Sequence, residues 1–311
     1  MDTKALPQSV STLPTGNERI LAVLAHLAAL AHGLGLPLPA LLWAEQRKDS
    51  RYVAFQTLQA YGYQSLGYTV WILFSLGLAM LALFALMLVN AFAPLGEDAL
   101  SIVFFFFGVV VFILFGLYNL LAIVAAGACA FGRDFRYPFL GGWLAKYIAD
   151  TPVPVGASPD QTNEERFAVA MGHFAVIFPF YGLLGPLGLW LTEGKRSVFI
   201  RAQSSQTVIY QAFGSVLYTV SHLLPVLLIF PVFIGLFSFG LGQEAEFFNP
   251  FTVGLAFLGM CMLSIAVLLG PLYHILGQWA GLQVLLGRDF RYPLVGRLTA
   301  RWAKPDLSKV V

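Results

Sequence analysis

Charge is what this sequence has least of. Only 11 % of its 311 residues are Asp, Glu, Lys or Arg, and 58 % are apolar. A soluble domain carries about 25 % charged and about 45–50 % apolar residues. That ratio excludes an ordinary soluble domain and puts the chain in the membrane class. Cysteine is also scarce. Cys129 and Cys261 are the only two. Both sit in apolar runs without metal-ligand or disulfide-framework spacing, and both read as buried thiols. The first 18 residues lack a basic start, an apolar run and a small-residue cleavage site, so no cleavable signal peptide is expected, and no lipidation motif is expected either.

The same scarcity excludes catalysis class by class. Every carboxylate lies outside the long uncharged stretches, so no Ser-His-Asp set can be assembled. Gly-x-Gly occurs only in apolar settings with no strand before it, which excludes a phosphate loop. No helix offers two His at i, i+4, so no metal and no cofactor are expected. The basic residues are spread along the chain rather than clustered, which argues against nucleic acid. The chain reads as a non-enzyme.

Six stretches contain no charged residue: 20–44, 52–96, 99–132, 167–192, 202–243 and 247–287. A bilayer core of about 30 Å needs about 20 apolar helical residues. The stretch 52–96 opens with Gln56, Gln59, Tyr61, Tyr63 and Gln64 and reads as a polar helix, interfacial or buried, leading into a span. The stretch 202–243 follows suit with Gln203, Gln206, Tyr210 and Gln211, and Pro225 and Pro231 are expected to kink its span. The stretches 20–44 and 167–192 are each broken, the first by Gly33-Leu34-Gly35-Leu36-Pro37-Leu38-Pro39, the second by Pro179 and Gly185-Pro186. Each leg then has about a dozen residues, about 18 Å, which is half a bilayer.

Charge distribution separates two topologies. If all six stretches cross, 11 basic residues fall on one side and 7 on the other. If the two broken stretches are re-entrant hairpins, all 18 share one side and the opposite side receives the acidic loops with Glu97, Asp98, Glu244 and Glu246. Basic loops stay cytoplasmic. The hairpin arrangement is therefore the expected one, with kinked spans as its rival. It gives a multi-pass protein of the cytoplasmic membrane with four crossings and both termini in the cytoplasm.

The two halves repeat. Gly132-Arg133-Asp134-Phe135-Arg136-Tyr137-Pro138 recurs as Gly287-Arg288-Asp289-Phe290-Arg291-Tyr292-Pro293. Upstream, at an offset of 147, Glu18-Arg19 matches Glu165-Arg166, His26 matches His173, Pro39 matches Pro186 and Trp43 matches Trp190. The offset of 155 at the end gives the second copy eight extra residues, expected near Gly242–Pro250. The predicted fold is all-α: a polytopic helical membrane protein of two tandem parallel repeats, each a broken re-entrant hairpin plus two transmembrane helices. Its parts are a disordered tail (1–16), repeat 1 (17–149), a polar linker (150–162), repeat 2 (163–302) and a basic tail (303–311).

These motifs resemble a bacterial membrane family, the domain of unknown function 4870. The likeness rests on Glu18-Arg19 with the segment to His26-Leu27, the Gly/Pro break, Leu42-Trp43 with Lys48-Asp49-Ser50, Gln59-Ala60 and the closing Gly-Arg-Asp-Phe-Arg-Tyr-Pro. That family is related to an inner-envelope component of the chloroplast Tic translocon. The resemblance implies two fused modules and a part in protein translocation or assembly. Two departures limit it. Gln56 and Gln203 stand where the family often has His, and Gln206-Thr207 replaces the Gln-Ala pair.

The candidate intramembrane polar contacts are His26, His173, Gln56, Gln59, Gln203 and Gln206. They read either as a proton or substrate path or as hydrogen-bonding groups that join helices. The candidate cytoplasmic docking or lipid-headgroup motif is Arg133, Asp134, Arg136 and Tyr137, repeated as Arg288, Asp289, Arg291 and Tyr292. Its plainer reading is a helix stop at the membrane surface. Arg297, Arg301, Lys304 and Lys309 are expected to rest on the anionic inner leaflet. Two functions follow: a scaffold or translocation-like component, or a small-solute channel through the hairpins. The expected partners are the lipid bilayer and either another membrane protein or further copies of the chain.

Overall fold

The computed structural model describes residues 13–92, 97–149, 162–228, 230 and 250–303. Among them no strand occurs, and the chain is an all-α membrane protein of two repeats. Repeat 1 starts with α1 (Gly16–Leu27) and α2 (Pro37–Gln46). Thr15 caps α1 through a reciprocal box with Glu18. Hydrogen bonds from the Ser50 hydroxyl and from Thr15 hold the Glu18 carboxyl below the usual carboxylate range. A tight 3₁₀ segment, Ala28–Gly35, joins the two legs, and His32 turns the chain there at φ 50°. Pro37 then starts α2, where its missing N–H is harmless. At 12 and 10 residues the legs are about 18 and 15 Å long, each well short of a bilayer core. Repeat 2 builds the same element from α7 (Asn163–Phe174) and α8 (Leu184–Glu193).

The next helix is polar and buried at its start and leads into a span without a break. Helix α3 (Arg51–Gly62) continues through a wide π turn, Tyr63–Gly67, into α4 (Tyr68–Phe92). Arg51–Ala91 is thus one rod of 41 residues, about 62 Å long. Its polar first third is packed inside the protein: α1 and α2 wrap it, and Gln56, Gln59 and Gln64 are fully buried. In repeat 2, α9 (Val198–Tyr218) likewise runs on through a π turn, Thr219–Leu223, as far as Leu228. That turn precedes Pro225, which has no N–H for the usual helical bond. Pro231 and the proposed insertion near Gly242 lie outside the described residues.

Each repeat closes with a long helix, α5 (Glu97–Ala130) and α10 (Pro250–Leu285), followed by a short one, α6 (Leu140–Ala149) and α11 (Val295–Ala303). Among the described residues four helices are long and apolar enough to cross a membrane: Arg51–Ala91, Ser101–Ala130, Val198–Leu228 and Val253–Leu285. The stop after α5 is made by Gly132 at φ 72°, with the Arg133 N–H reaching back to the Ala128 carbonyl at 3.0 Å. Gly287 at φ 81° repeats it, with Arg288 N–H on the Gln283 carbonyl at 3.0 Å. A left-handed residue after the last turn satisfies those carbonyls, and glycine takes that conformation without strain. Cys129 is buried, but Cys261 is exposed, since its helix presents it outward where an apolar thiol faces lipid without penalty.

The repeats share one core. Leu36, Trp43, Leu58 and Tyr61 of the first pack against Phe167, Met171, Leu189 and Ile200 of the second. A buried ion cluster sits at that seam. Arg47 bridges Glu165 (2.9 Å) and Glu193 (2.6 Å), and Arg196 also reaches Glu193 at 2.8 Å. The Arg47 guanidinium lies 4.8 Å over the Trp43 ring.

Candidate functional site: an imidazole network beneath a basic ledge

The backbone turns just described bring three distant pieces of each repeat to one point. His26 projects from the end of α1, Gln56 and Gln59 from α3, and Phe135 and Tyr137 from the segment after α5. Gln56 Nε2 donates to Asp134 Oδ1 (2.9 Å) and to the Phe135 carbonyl (3.1 Å), which turns its Oε1 towards His26 Nε2 at 3.0 Å. The network therefore assigns the imidazole proton to Nε2, and His26 Nδ1 accepts the Tyr137 hydroxyl at 3.0 Å. Gln59 Nε2 donates to the Phe135 carbonyl (2.9 Å), and its Oε1 accepts the Tyr137 N–H (3.1 Å). Gln64 reaches the Ala25 carbonyl at 3.5 Å.

Repeat 2 reproduces the arrangement. His173 Nδ1 lies 2.9 Å from the Tyr292 hydroxyl and Nε2 lies 3.3 Å from Gln203 Oε1. Gln203 and Gln206 both donate to the Phe290 carbonyl, at 3.1 and 2.9 Å, and Gln206 Oε1 accepts the Tyr292 N–H at 3.2 Å. Thr207 adds a hydroxyl 3.0 Å from His173 Nδ1, where repeat 1 has only Ala60. Each imidazole nitrogen already has a neutral partner. A neutral, saturated imidazole stiffens the segment it touches and has no nitrogen left over for a metal.

Below Tyr137 lies a stack that the motif reading missed. Tyr63 stands between Tyr137 (centroids 3.9 Å, 3° between planes) and Tyr118 (4.8 Å, 9°), and its hydroxyl donates to the Tyr118 carbonyl at 2.7 Å. Tyr210 does the same between Tyr292 (3.9 Å, 13°) and Tyr273 (5.0 Å, 20°), donating to the Tyr273 carbonyl at 2.8 Å. The signal was present in the sequence: Tyr118 and Tyr273 are 155 apart, the same offset as the closing motif.

The outward residues are fewer than the motif suggested. Arg133, Asp134, Arg136, Arg288, Asp289 and Arg291 are exposed. Tyr137 and Tyr292 are not: both are buried beneath the ledge, because their rings fill the space between the imidazole and the tyrosine stack. A residue not picked out by sequence takes the outer position instead. Phe139 is 97 % exposed and Leu294, its counterpart, 76 %, and both adopt positive φ (62° and 66°). A bulky side chain in that region is strained, so the turn holds it out against its own preference.

Tyr137→Phe is expected to lower stability by about 1–3 kcal/mol, because it leaves the buried His26 Nδ1 without a donor. Tyr292→Phe should lower it less, since the Thr207 hydroxyl can turn to His173. Thermal midpoints of the two variants in one detergent check the order, and equal losses would contradict it.

Residues 17–144 and 164–299 each match one family model, that of the magnetosome magnetite crystal formation proteins. Together the matches cover most of the chain. The chain belongs to this family. The match falls twice in tandem, as the internal repeats do. The family's description names a process and no catalysed reaction. The match is not to the domain of unknown function 4870 or to a Tic-like module. The motifs behind that resemblance are here a glycine helix stop, a hairpin break and buried hydrogen-bonding groups. No curated protein and no solved structure matches the chain. Among the described residues no group of three or more His, Cys, Asp or Glu side chains is placed to hold a metal ion.

Proposed function

We propose that the chain is a non-enzymatic scaffold of the magnetosome membrane, acting in magnetite crystal formation by holding a partner or lipid headgroups on one face. The observation that carries this reading is the duplicated lock of His26 on Tyr137 and Gln56, and of His173 on Tyr292 and Gln203. The polar groups that a channel would need for a path are spent on one another and on the backbone of the ledge. What they hold rigid is Arg133, Arg136 and Phe139, with Arg288, Arg291 and Leu294 in the second repeat. Two guanidinia and one apolar side chain suit a headgroup layer or the acidic, partly apolar surface of a partner. With the hairpins re-entrant, both ledges and both termini face the cytoplasm.

The test is co-purification in native lipid nanodiscs, with mass spectrometry of what stays bound. The wild type and a variant with Arg133, Arg136, Arg288 and Arg291 all changed to Ala would be compared. A stoichiometric protein or an enriched anionic lipid on the wild type, reduced several-fold on the variant, is the expected result. Equal retention on both overturns the ledge as the docking face. The double variant His26→Phe with His173→Phe adds a second arm. Reconstituted vesicles should show no solute flux with or without it. A flux that the wild type supports and the folded double variant loses would replace the scaffold reading with a transport one.

A further inference from the structure

Two histidines of repeat 2 break the internal symmetry. His222 stands where repeat 1 has Ser75, and His274 where it has Asn119; Tyr218, which touches both, replaces Trp71. All three lie inside the apolar helices Val198–Leu228 and Val253–Leu285. The Tyr218 hydroxyl meets His274 Nε2. The His222 ring stacks on the Tyr218 ring, with centroids 4.7 Å apart and 7° between planes. His222 is carried by the π turn Thr219–Leu223, and turns of that kind recur at functional sites in helices.

The protons of this cluster can be placed. His274 faces the Val176 carbonyl, which keeps its proton on that side and makes Nε2 the acceptor of the Tyr218 hydroxyl. The Ser221 hydroxyl donates to the Leu217 carbonyl at 2.5 Å. With that proton spent, the Ser221 oxygen accepts from His222 Nδ1–H at 3.0 Å. His222 Nε2 is thereby left as a bare acceptor, and among the described residues no protein group donates to it. His222 is exposed, beside exposed Val220, Leu223 and Val226. Acyl chains supply no donor, and an unmet polar group in hydrocarbon is costly. Arg201, the nearest charged residue before it, is 21 positions back in the chain. The partner of this nitrogen therefore comes from within the bilayer, and it must bring a proton.

We propose that His222, held by Ser221 and Tyr218, is a binding site for a membrane-soluble hydroquinone. A quinol carries hydroxyl donors on a flat apolar ring and moves through the depth of the bilayer. One hydroxyl would donate to His222 Nε2, while the ring lies on the apolar residues around it. The fixed tautomer makes the site selective. The oxidised quinone has only carbonyl acceptors, and an acceptor facing the Nε2 lone pair gains no hydrogen bond. The site thus takes the reduced form in preference to the oxidised one. This goes beyond the scaffold reading and does not rest on it, since the cluster lies in the spans and away from the basic ledge.

The test uses the full chain in nanodiscs of one phospholipid composition, kept anaerobic and titrated with a short-chain ubiquinol or with the matching ubiquinone. Nanodiscs with His222→Phe, which keeps a flat ring and removes the acceptor, measure simple partition into lipid. The wild type should retain about one quinol per chain above that blank, and quinone should bind about tenfold more weakly. Ser221→Ala frees the tautomer, so His222 can carry its proton on Nε2, and the preference for quinol should fall several-fold. No excess of quinol on the wild type over His222→Phe overturns the proposal. Equal excess of quinol and quinone overturns it too, since the lone pair then selects nothing. A diacylglycerol that displaces the quinol at equal concentration would make the ligand a lipid alcohol and likewise overturn it. None of these outcomes bears on whether the ledge holds a partner.

Discussion

Arg47→Ala is expected to destabilise the folded protein by about 3–5 kcal/mol, more than the other substitutions considered in this chain. Arg47 meets both Glu165 and Glu193, at 2.9 and 2.6 Å. The Glu193 side chain is fully buried and that of Glu165 is 6 % exposed. Removing the guanidinium leaves carboxylates that water cannot reach, and desolvated charge without a partner is far more costly than a lost pair. Arg196 still reaches Glu193, but its side chain is 58 % exposed and solvent screens it. Arg47→Lys should fall between, because a single ammonium cannot fork to two carboxylates. Arg47→Met combined with Glu165→Gln and Glu193→Gln should recover much of the loss by removing the stranded charge. Denaturant unfolding in one detergent, followed by tryptophan fluorescence, measures all three. A loss under about 1 kcal/mol for Arg47→Ala would mean that the cluster is hydrated and that the repeats are held by apolar packing alone.

Arg47 also marks where the sequence stopped being informative. Whatever is duplicated could be found by sliding the chain along itself: the hairpins, the Gln-bearing helices and the closing motif emerge as pairs, and so do the tyrosine stacks once Tyr118 and Tyr273 are aligned. The seam between repeats cannot, because Arg47 has only Gly194 opposite it. Its partners lie 118 and 146 residues away, and no local pattern announces them. The hydropathy of 52–96 revealed a span but not its continuity with the polar helix before it. Gln56, Gln59 and Gln64 look surface-seeking one by one, and their burial follows from the imidazole and carbonyl groups that tertiary packing brings to them. Tyr137 was misplaced for the same reason. An Arg-rich segment after a helix suggests an interface, and only the α1–α3 packing reveals that its tyrosine turns inward. Positive φ at Phe139 and Leu294 leaves no mark in composition at all.

Gly35→Ala should be the next most damaging change, at about 3 kcal/mol, the upper end for overpacking. The two hairpin legs meet where Ala28 and Gly35 pass each other. A Cβ on Gly35 would collide with the Ala28 carbonyl oxygen and stand 2.6 Å from its carbon. Gly182 meets the Ala175 carbonyl in the same way, 2.8 Å from its carbon. The obstacle is backbone, which has no rotamer to escape into, so the 3₁₀ segment must open and α1 must swing off α3. That movement would carry His26 away from Gln56 and Tyr137, so loss of the turn and loss of the ledge are expected together. Gly77→Ala is the control. It lies within α4 with nothing within 4 Å of the added carbon, and a helix-interior alanine there should gain about 0.5–1 kcal/mol. Opposite signs for the two substitutions, read as unfolding midpoints and as protease sensitivity of the Arg133–Pro138 segment, would tie the hairpin turn to the ledge. A Gly35→Ala protein with an unchanged midpoint would mean that the turn can widen without cost, and that the hairpin does not position His26.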